Sequence, residues 1–233
     1  MEPIISLQEV AVRYKRSGSI FRSSTYFDAI KSVSFDIYPG ETLGILGRNG
    51  AGKSSLLRII SGVIRPDRGR VINHGASVAL LALQVGFDQN LSGRDNAILG
   101  GILQGYSRRY IEERLDEICE YSELGSFFLE PVRTYSTGMR ARLGFSITTI
   151  ISPDVLLVDE VLGVGDTHFR EKAERTMAAK IQSQQTIVMV SHSHNQIARL
   201  CDRAVLIDDG VSLAMGDPYE VLSIYEERLK HST

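Results

Sequence analysis

Eight consecutive residues, Gly47-Arg48-Asn49-Gly50-Ala51-Gly52-Lys53-Ser54, constrain this chain more than any other stretch. They fit the spacing G-x-x-x-x-G-K-[ST], a pattern that carries meaning only between a strand and a helix. That context is present. Thr42 to Leu46 is an apolar, strand-like run, and Lys53 to about Ser61 has helical apolar periodicity closed by Gly62. The chemistry accounts for the residue types. Glycines let backbone N–H groups close around phosphate oxygens, and the start of the following helix adds a favourable dipole. Lys53 is placed to reach terminal phosphates and the Ser54 hydroxyl to ligate Mg²⁺. Gly47, Asn49, Gly50, Ala51, Gly52 and Ser55 fall in the same nucleotide-binding set.

A second motif lies downstream, its Asp159 106 residues after Lys53. Val155-Leu156-Leu157-Val158-Asp159-Glu160 is an apolar strand ending in two carboxylates. In open parallel sheets the carboxyl ends of strands deliver residues to the ligand crevice. Asp159 would then hold the Mg²⁺ shell, and Glu160 would polarise an attacking water as general base. Alone this pair is a weak signal; beside a phosphate loop it defines an NTPase.

The rest of the chain organises around these motifs. Residues 4 to 14, 29 to 38, 155 to 158, 186 to 190 and 203 to 208 read as strands, and residues 167 to 184 and 218 to 229 as helices. Residues 15 to 27, polar with Ser and Arg among a few aromatics, read as a loop. From about Ser92 to Ile151 helical patterns dominate, with Ile111, Leu115 and Ile118 recurring through a helix from Tyr110 to Ser122. Strands alternating with helices predict an α/β fold on a parallel sheet, with the central helical block as an inserted lobe.

Composition excludes some alternatives. With 43% apolar and 23% charged residues, the 233-residue chain is of ordinary globular make-up. A net charge of −2 gives no hint of a nucleic-acid binder. The longest clean apolar run, Val78 to Leu83, is far short of the roughly 20 residues of a membrane helix. No secretory signal is visible after Met1-Glu2-Pro3. Cys119 and Cys201 have no paired spacing and read as reduced packing cysteines.

Further motifs narrow the class. Tyr135-Ser136-Thr137-Gly138-Met139-Arg140 resembles the ABC signature Leu-Ser-Gly-Gly-Gln in a variant form: Ser136 and Gly138 match, Thr137 and Met139 depart from it. It is also physically a helix start, with Ser136 as a good N-cap. His192, in Ser191-His192-Ser193, resembles the family's switch histidine, while His194 reads as surface. Gly163-Val164-Gly165-Asp166 resembles the D-loop that crosses the dimer interface, with Asp166 its acidic member. Tyr14 resembles the aromatic that stacks on adenine, although an aromatic at a strand end also suits a core. The family's sensor glutamine, which also serves as a metal ligand, corresponds to Gln84, with Gln89 as the rival.

The resemblance covers nearly the whole chain. It implies an ABC cassette with a RecA-like core, an antiparallel β subdomain and a helical lobe. Its expected bounds are about 1–91 and 152–217 for the core, 92–151 for the helical lobe and 218–230 for a final helix, with no carbohydrate-binding domain following. It implies ATP and Mg²⁺ as cofactors. It also implies a homodimer holding two ATP at its interface, with the Ser136–Gly138 loop of one cassette closing on the nucleotide held by Lys53 of the other.

Three stretches together resemble the polysaccharide-export branch: Leu91-Ser92-Gly93-Arg94-Asp95-Asn96, residues 135 to 145 and residues 158 to 166. The segment 15 to 27 also suits that branch, where the region after the first strand is often enlarged; its plainer reading is a tolerated surface loop. The implied partners are two copies of a separate membrane permease and, through it, a lipid-linked glycan such as O-antigen, teichoic acid or capsule. The implied place is the cytoplasmic face of the bacterial inner membrane. Another cargo, such as a lipid or drug, is the alternative. A soluble ATPase acting on nucleic acid is disfavoured, since the sequence has no basic arm or long coiled-coil insertion.

Overall fold

The computed structural model describes residues 1–16, 25–81, 86–159, 166–191 and 193–231. It divides into two compact units, residues 1–76 with 184–233 and residues 77–183. The expected helical lobe, 92–151, falls inside the second unit.

The first unit is built on β1 (Ile5–Arg16), β2 (Thr25–Ile37), β3 (Thr42–Leu46), β4 (Arg68–Asn73), β7 (Thr186–Val190), β8 (Arg203–Asp208) and β9 (Val211–Gly216). Their order across the sheet is β4-β1-β2-β9-β8-β3-β7. β3 runs parallel to both β7 and β8. Every residue of β3 and β7 is buried, so their continuous apolar sequences follow from a sheet covered on both faces. β1 pairs antiparallel with β2 and β4, forming the antiparallel subdomain. Ile5, Leu7, Val10, Ile30, Val33 and Ile37 form its buried face. Among the described residues, three helices belong to this unit: α1 (Lys53–Ile60), α7 (His194–Leu200) and α8 (Pro218–His231).

The expected loop at 15 to 27 is corrected at both ends. Lys15 and Arg16 continue β1, and Thr25, Tyr26 and Phe27 begin β2. The pairing explains it: Arg13 faces Asp28, Tyr14 faces Phe27, Lys15 faces Tyr26 and Arg16 faces Thr25. The Arg13 Nε–Asp28 Oδ1 ion pair at 2.5 Å joins the two strands across the register. Cross-strand partners hold a ribbon whose composition alone looks like a loop.

The second unit contains the parallel pair β5 (Val78–Leu81) and β6 (Val155–Asp159). Around it lie α2 (Gly93–Leu103), α3 (Arg108–Glu112), α4 (Leu115–Ser122), α5 (Thr137–Ile151) and α6 (Thr167–Gln182). Ile98, Ile111, Ile118, Phe128, Leu143, Ile147 and Ile151 form a buried cluster among these helices. The single helix expected from Tyr110 to Ser122 is in fact two. The chain turns at Glu113 and Arg114, where Arg114 N–H donates to Ile111 O at 2.9 Å and its guanidinium donates to Tyr110 O. The apolar spacing carries across the break, because both short helices bury into the same cluster.

Candidate nucleotide-binding site

The phosphate loop belongs to the first unit and leads from buried β3 into α1. Three of its glycines have left-handed φ, at +152° for Gly47, +82° for Gly50 and +101° for Gly52. Two of them also leave no room for a side chain. A Cβ on Gly47 would lie 2.2 Å from Ile207 O, and one on Gly52 would lie 2.3 Å from Ala29 O. Backbone conformation and close packing therefore both demand glycine here.

Gly52 is the N-cap of α1, so no side chain caps this helix, and its first turn carries no acidic residue. The first-turn amides of a helix have no partner within the helix, so this end is suited to an anion. Lys53 is buried, and its ammonium donates to Gly47 O at 2.8 Å and to Arg48 O at 3.1 Å. A cation thus sits across the mouth of the loop. Ala51 is buried and Ser54 exposed on the first turn, its hydroxyl available as a hard oxygen donor of the kind Mg²⁺ prefers. Loop, helix end and lysine fit a polyphosphate.

The structure brings Tyr14 to the same place. Its hydroxyl donates to Ser55 Oγ at 3.2 Å, linking β1 to the first turn of α1. Tyr14 is 36% exposed and is not a core residue. It also lies two residues inside β1 rather than closing the strand.

The other described site residues belong to the second unit. Asp159 ends β6 half-buried, after four buried apolar residues. Ser136 is the N-cap of α5 and accepts a hydrogen bond from Met139 N–H at 3.2 Å. Gly138 is half-buried in the first helical turn, and the tail of Arg140 folds back to donate to Tyr135 O at 3.0 Å. Asp166 caps α6, its Oδ1 accepting from Phe169 N–H at 3.0 Å, and that bond holds its carboxyl below the usual range. The two helices meet at Glu123, which lies 2.7 Å from Lys172 of α6 and 4.0 Å from Arg142 of α5. Tyr121, Phe145 and Phe169 pack beneath this cluster with ring centroids about 6 Å apart, at 6.1, 6.0 and 6.0 Å. Gln84, Glu160 and His192 lie outside the described residues, as do Gly163, Val164 and Gly165 of the D-loop motif. Gln89 is described. It is exposed, and its carbonyl accepts from Arg133 N–H at 2.9 Å.

Sequence reasoning gave no role to Asn96 or Tyr135 individually. Asn96 is 1% exposed; its Oδ1 accepts from Asp88 N–H, and its Nδ2 donates to the carbonyls of Asp88, Leu91 and Ser92. Tyr135 is 4% exposed and donates to Phe127 O at 2.5 Å. Burial pushes its phenol up to about 12, so it stays a donor throughout the physiological range. Backbone bonds run alongside, from Val132 N to Leu91 O at 2.9 Å and from Gly93 N to Glu130 O at 3.3 Å. The Ser92–Asn96 stretch and the residues preceding Ser136 are thereby one hydrogen-bonded assembly. The usable sequence signal was Ser92-x-x-Asp95, a capping pattern: the Ser92 hydroxyl accepts from Asp95 N–H at 3.0 Å.

A glycine loop that ends in an uncapped helix, fed by a buried parallel strand, defines a P-loop nucleotide-binding protein. Residues 30–163 match the ABC transporter family. The O-antigen export system ATP-binding protein RfbB of Klebsiella pneumoniae is 37% identical over 246 aligned residues, covering 98% of this chain and 100% of that protein. A protein of the same description from Myxococcus xanthus is 41% identical over 94% of this chain and 50% of its own length. The teichoic acids export ATP-binding protein TagH of Lactococcus lactis is 42% identical over 90% of this chain and 45% of its own. This chain thus spans about half the length of the latter two relatives. A solved ATP-binding cassette, in a dimeric post-hydrolysis state bound to ADP and Pi, superposes with a TM-score of 0.73 at 21% identity, covering 92% of this chain and 98% of that one. The chain belongs to the ABC transporter family and has the α/β fold of its ATP-binding cassettes.

Proposed function

We propose that this protein is the ATP-hydrolysing subunit of a bacterial ABC exporter that moves lipid-linked polysaccharide, O-antigen-like or related to teichoic acid or capsule, across the inner membrane. The observation that carries the ATPase reading is the phosphate loop, with its two glycines closed in by neighbouring strands and Lys53 across its mouth. The cargo reading is supported by likeness to the O-antigen and teichoic acid export proteins, above all the Klebsiella protein matched along its whole length.

In this reading Lys53 and the amides of the loop bind the terminal phosphates. Ser54 and Asp159 hold Mg²⁺, with Gln84 joining them as sensor. Glu160 takes a proton from the attacking water and His192 contacts the γ-phosphate. Tyr14 stacks on the adenine. Ser136 and Gly138, at an α5 start with no acidic residue in its first turn, meet the nucleotide held by a second copy of the chain, and Asp166 lines the shared interface. Closure of the two copies drives two permease subunits. No described helix is long and apolar enough to cross a membrane. In this reading a separate subunit supplies the translocation path, and the cassette works on its cytoplasmic side. The core lobe is about 1–91 and 152–217, the helical lobe about 92–151 and the final helix about 218–230.

Glu160→Gln is the test. Nucleotide affinity is expected to stay near that of the unaltered protein. Steady-state hydrolysis should fall by a factor on the order of 10² to 10⁴, the usual contribution of a general base, and a nucleotide-bound dimer should accumulate on gel filtration. Cells carrying only this variant should lack surface polysaccharide. Undiminished hydrolysis removes Glu160 from its role; normal hydrolysis-dependent growth with unchanged surface polysaccharide after deletion of the whole gene removes the cargo.

A further inference from the structure

We infer that Phe27, on β2, forms part of the nucleobase-binding surface, as a second aromatic wall beside Tyr14. The inference rests on the nucleotide reading above and deepens it by assigning a residue that the sequence placed in a loop.

The register carries the argument. Arg13, Tyr14 and Lys15 lie directly opposite Asp28, Phe27 and Tyr26 in an antiparallel ladder. Directly opposed residues project to the same face of a sheet, and successive residues to alternate faces. The Arg13–Asp28 side-chain ion pair fixes one face. Tyr14 and Phe27 therefore share the other face. That face looks onto the amino end of α1, because the Tyr14 hydroxyl reaches Ser55 there.

Both rings remain accessible, at 36% for Tyr14 and 43% for Phe27. Two accessible aromatics side by side, one of them anchored to the first turn of a phosphate-binding helix, suit a flat heterocycle attached to a polyphosphate. The Tyr14 ring, pinned through its hydroxyl, offers a fixed face. Phe27 has no polar atom and can recognise a base only through its ring, by stacking or edge contact.

The experiment compares two ligands, ATP and inorganic tripolyphosphate, which shares the phosphates and lacks the base. Binding is measured by calorimetry on the intact chain. Phe27→Ala should weaken ATP on the order of tenfold, within the range that one base–aromatic contact contributes, and leave tripolyphosphate unchanged. Phe27→Leu keeps the apolar bulk on the hairpin and should show the same selective loss, whereas Phe27→Tyr should retain the original ATP affinity. Equal weakening of both ligands by the leucine variant would show a structural role and overturn the inference, as would unchanged ATP affinity in both the alanine and leucine variants. If the unaltered protein binds neither ligand, the nucleotide reading itself fails and this inference with it.

Discussion

The Tyr135 hydroxyl stands directly over the Cα of Gly93, so that a methyl group added there would come within 2.3 Å of the phenol oxygen and 3.1 Å of Phe128 O. Gly93 opens α2 and Tyr135 precedes the cap of α5, so this contact sets the spacing between the starts of two helices.

Gly93→Ala should therefore destabilise the protein by about 1–3 kcal/mol, the usual cost of overpacking a tight site. Tyr135→Phe loses the bond to Phe127 O and should cost about 0.5–1.5 kcal/mol. Because removal of the phenol oxygen also relieves the clash, the double variant should lose less than the sum of the two. Denaturant unfolding of all four proteins measures this coupling; strict additivity would mean that the two sites do not press on each other.

Lys53 should matter for binding in a way its hydrogen bonds to Gly47 and Arg48 do not reveal alone. Lys53→Ala removes a charge-assisted contact to phosphate, worth about 1.5–3 kcal/mol, and should weaken ATP about 10- to 100-fold. Tripolyphosphate should weaken in parallel, since in the proposed site the ammonium meets the phosphates and not the base. Titration of both ligands checks it, and an unchanged affinity would sink the phosphate-loop assignment.

Acid should loosen the second unit through Asp154. Its carboxylate accepts from Ser77 Oγ at 2.6 Å and Ser77 N–H at 2.8 Å, joining the starts of β5 and β6, and these bonds hold its pKa below the ordinary 3.8. A depressed carboxyl contributes stability that is complete above its unfolded value and is lost as pH falls through its folded one. Asp154→Asn should therefore flatten the fall in stability below about pH 4. At neutral pH, solvent screening limits the cost of the change to about 1 kcal/mol or less. Thermal melts from pH 7 to pH 2 compare the two slopes.

Local motifs were legible because their meaning is fixed over a few residues. The strand before Gly47, the helix after Lys53 and the cap at Ser136 were all placed by spacing and residue type. What escaped depended on partners distant in sequence. Lys15, Tyr26 and Phe27 look like loop until Arg13 and Asp28 are paired. β4 has four exposed residues, Arg68, Gly69, Arg70 and Asn73, and only Val71 and Ile72 are half-buried, so its sequence has little apolar signal. β9 alternates weakly and joins the sheet beside β2 through a single parallel pairing, Ser32 with Val211. The site followed the same rule. Tyr14 was found from its resemblance, yet its anchor on Ser55 and its neighbour Phe27 came only with the register.

The tight seats of Gly47 against Ile207 and of Gly52 against Ala29 have a kinetic meaning. A loop braced at both ends by neighbouring strands has its binding shape before any encounter, and little ordering remains to be done when one occurs. Association should then run near the rate set by diffusion and charge, similar for every nucleotide that presents the same phosphates. Selectivity among bases would be expressed almost wholly in how long each one stays.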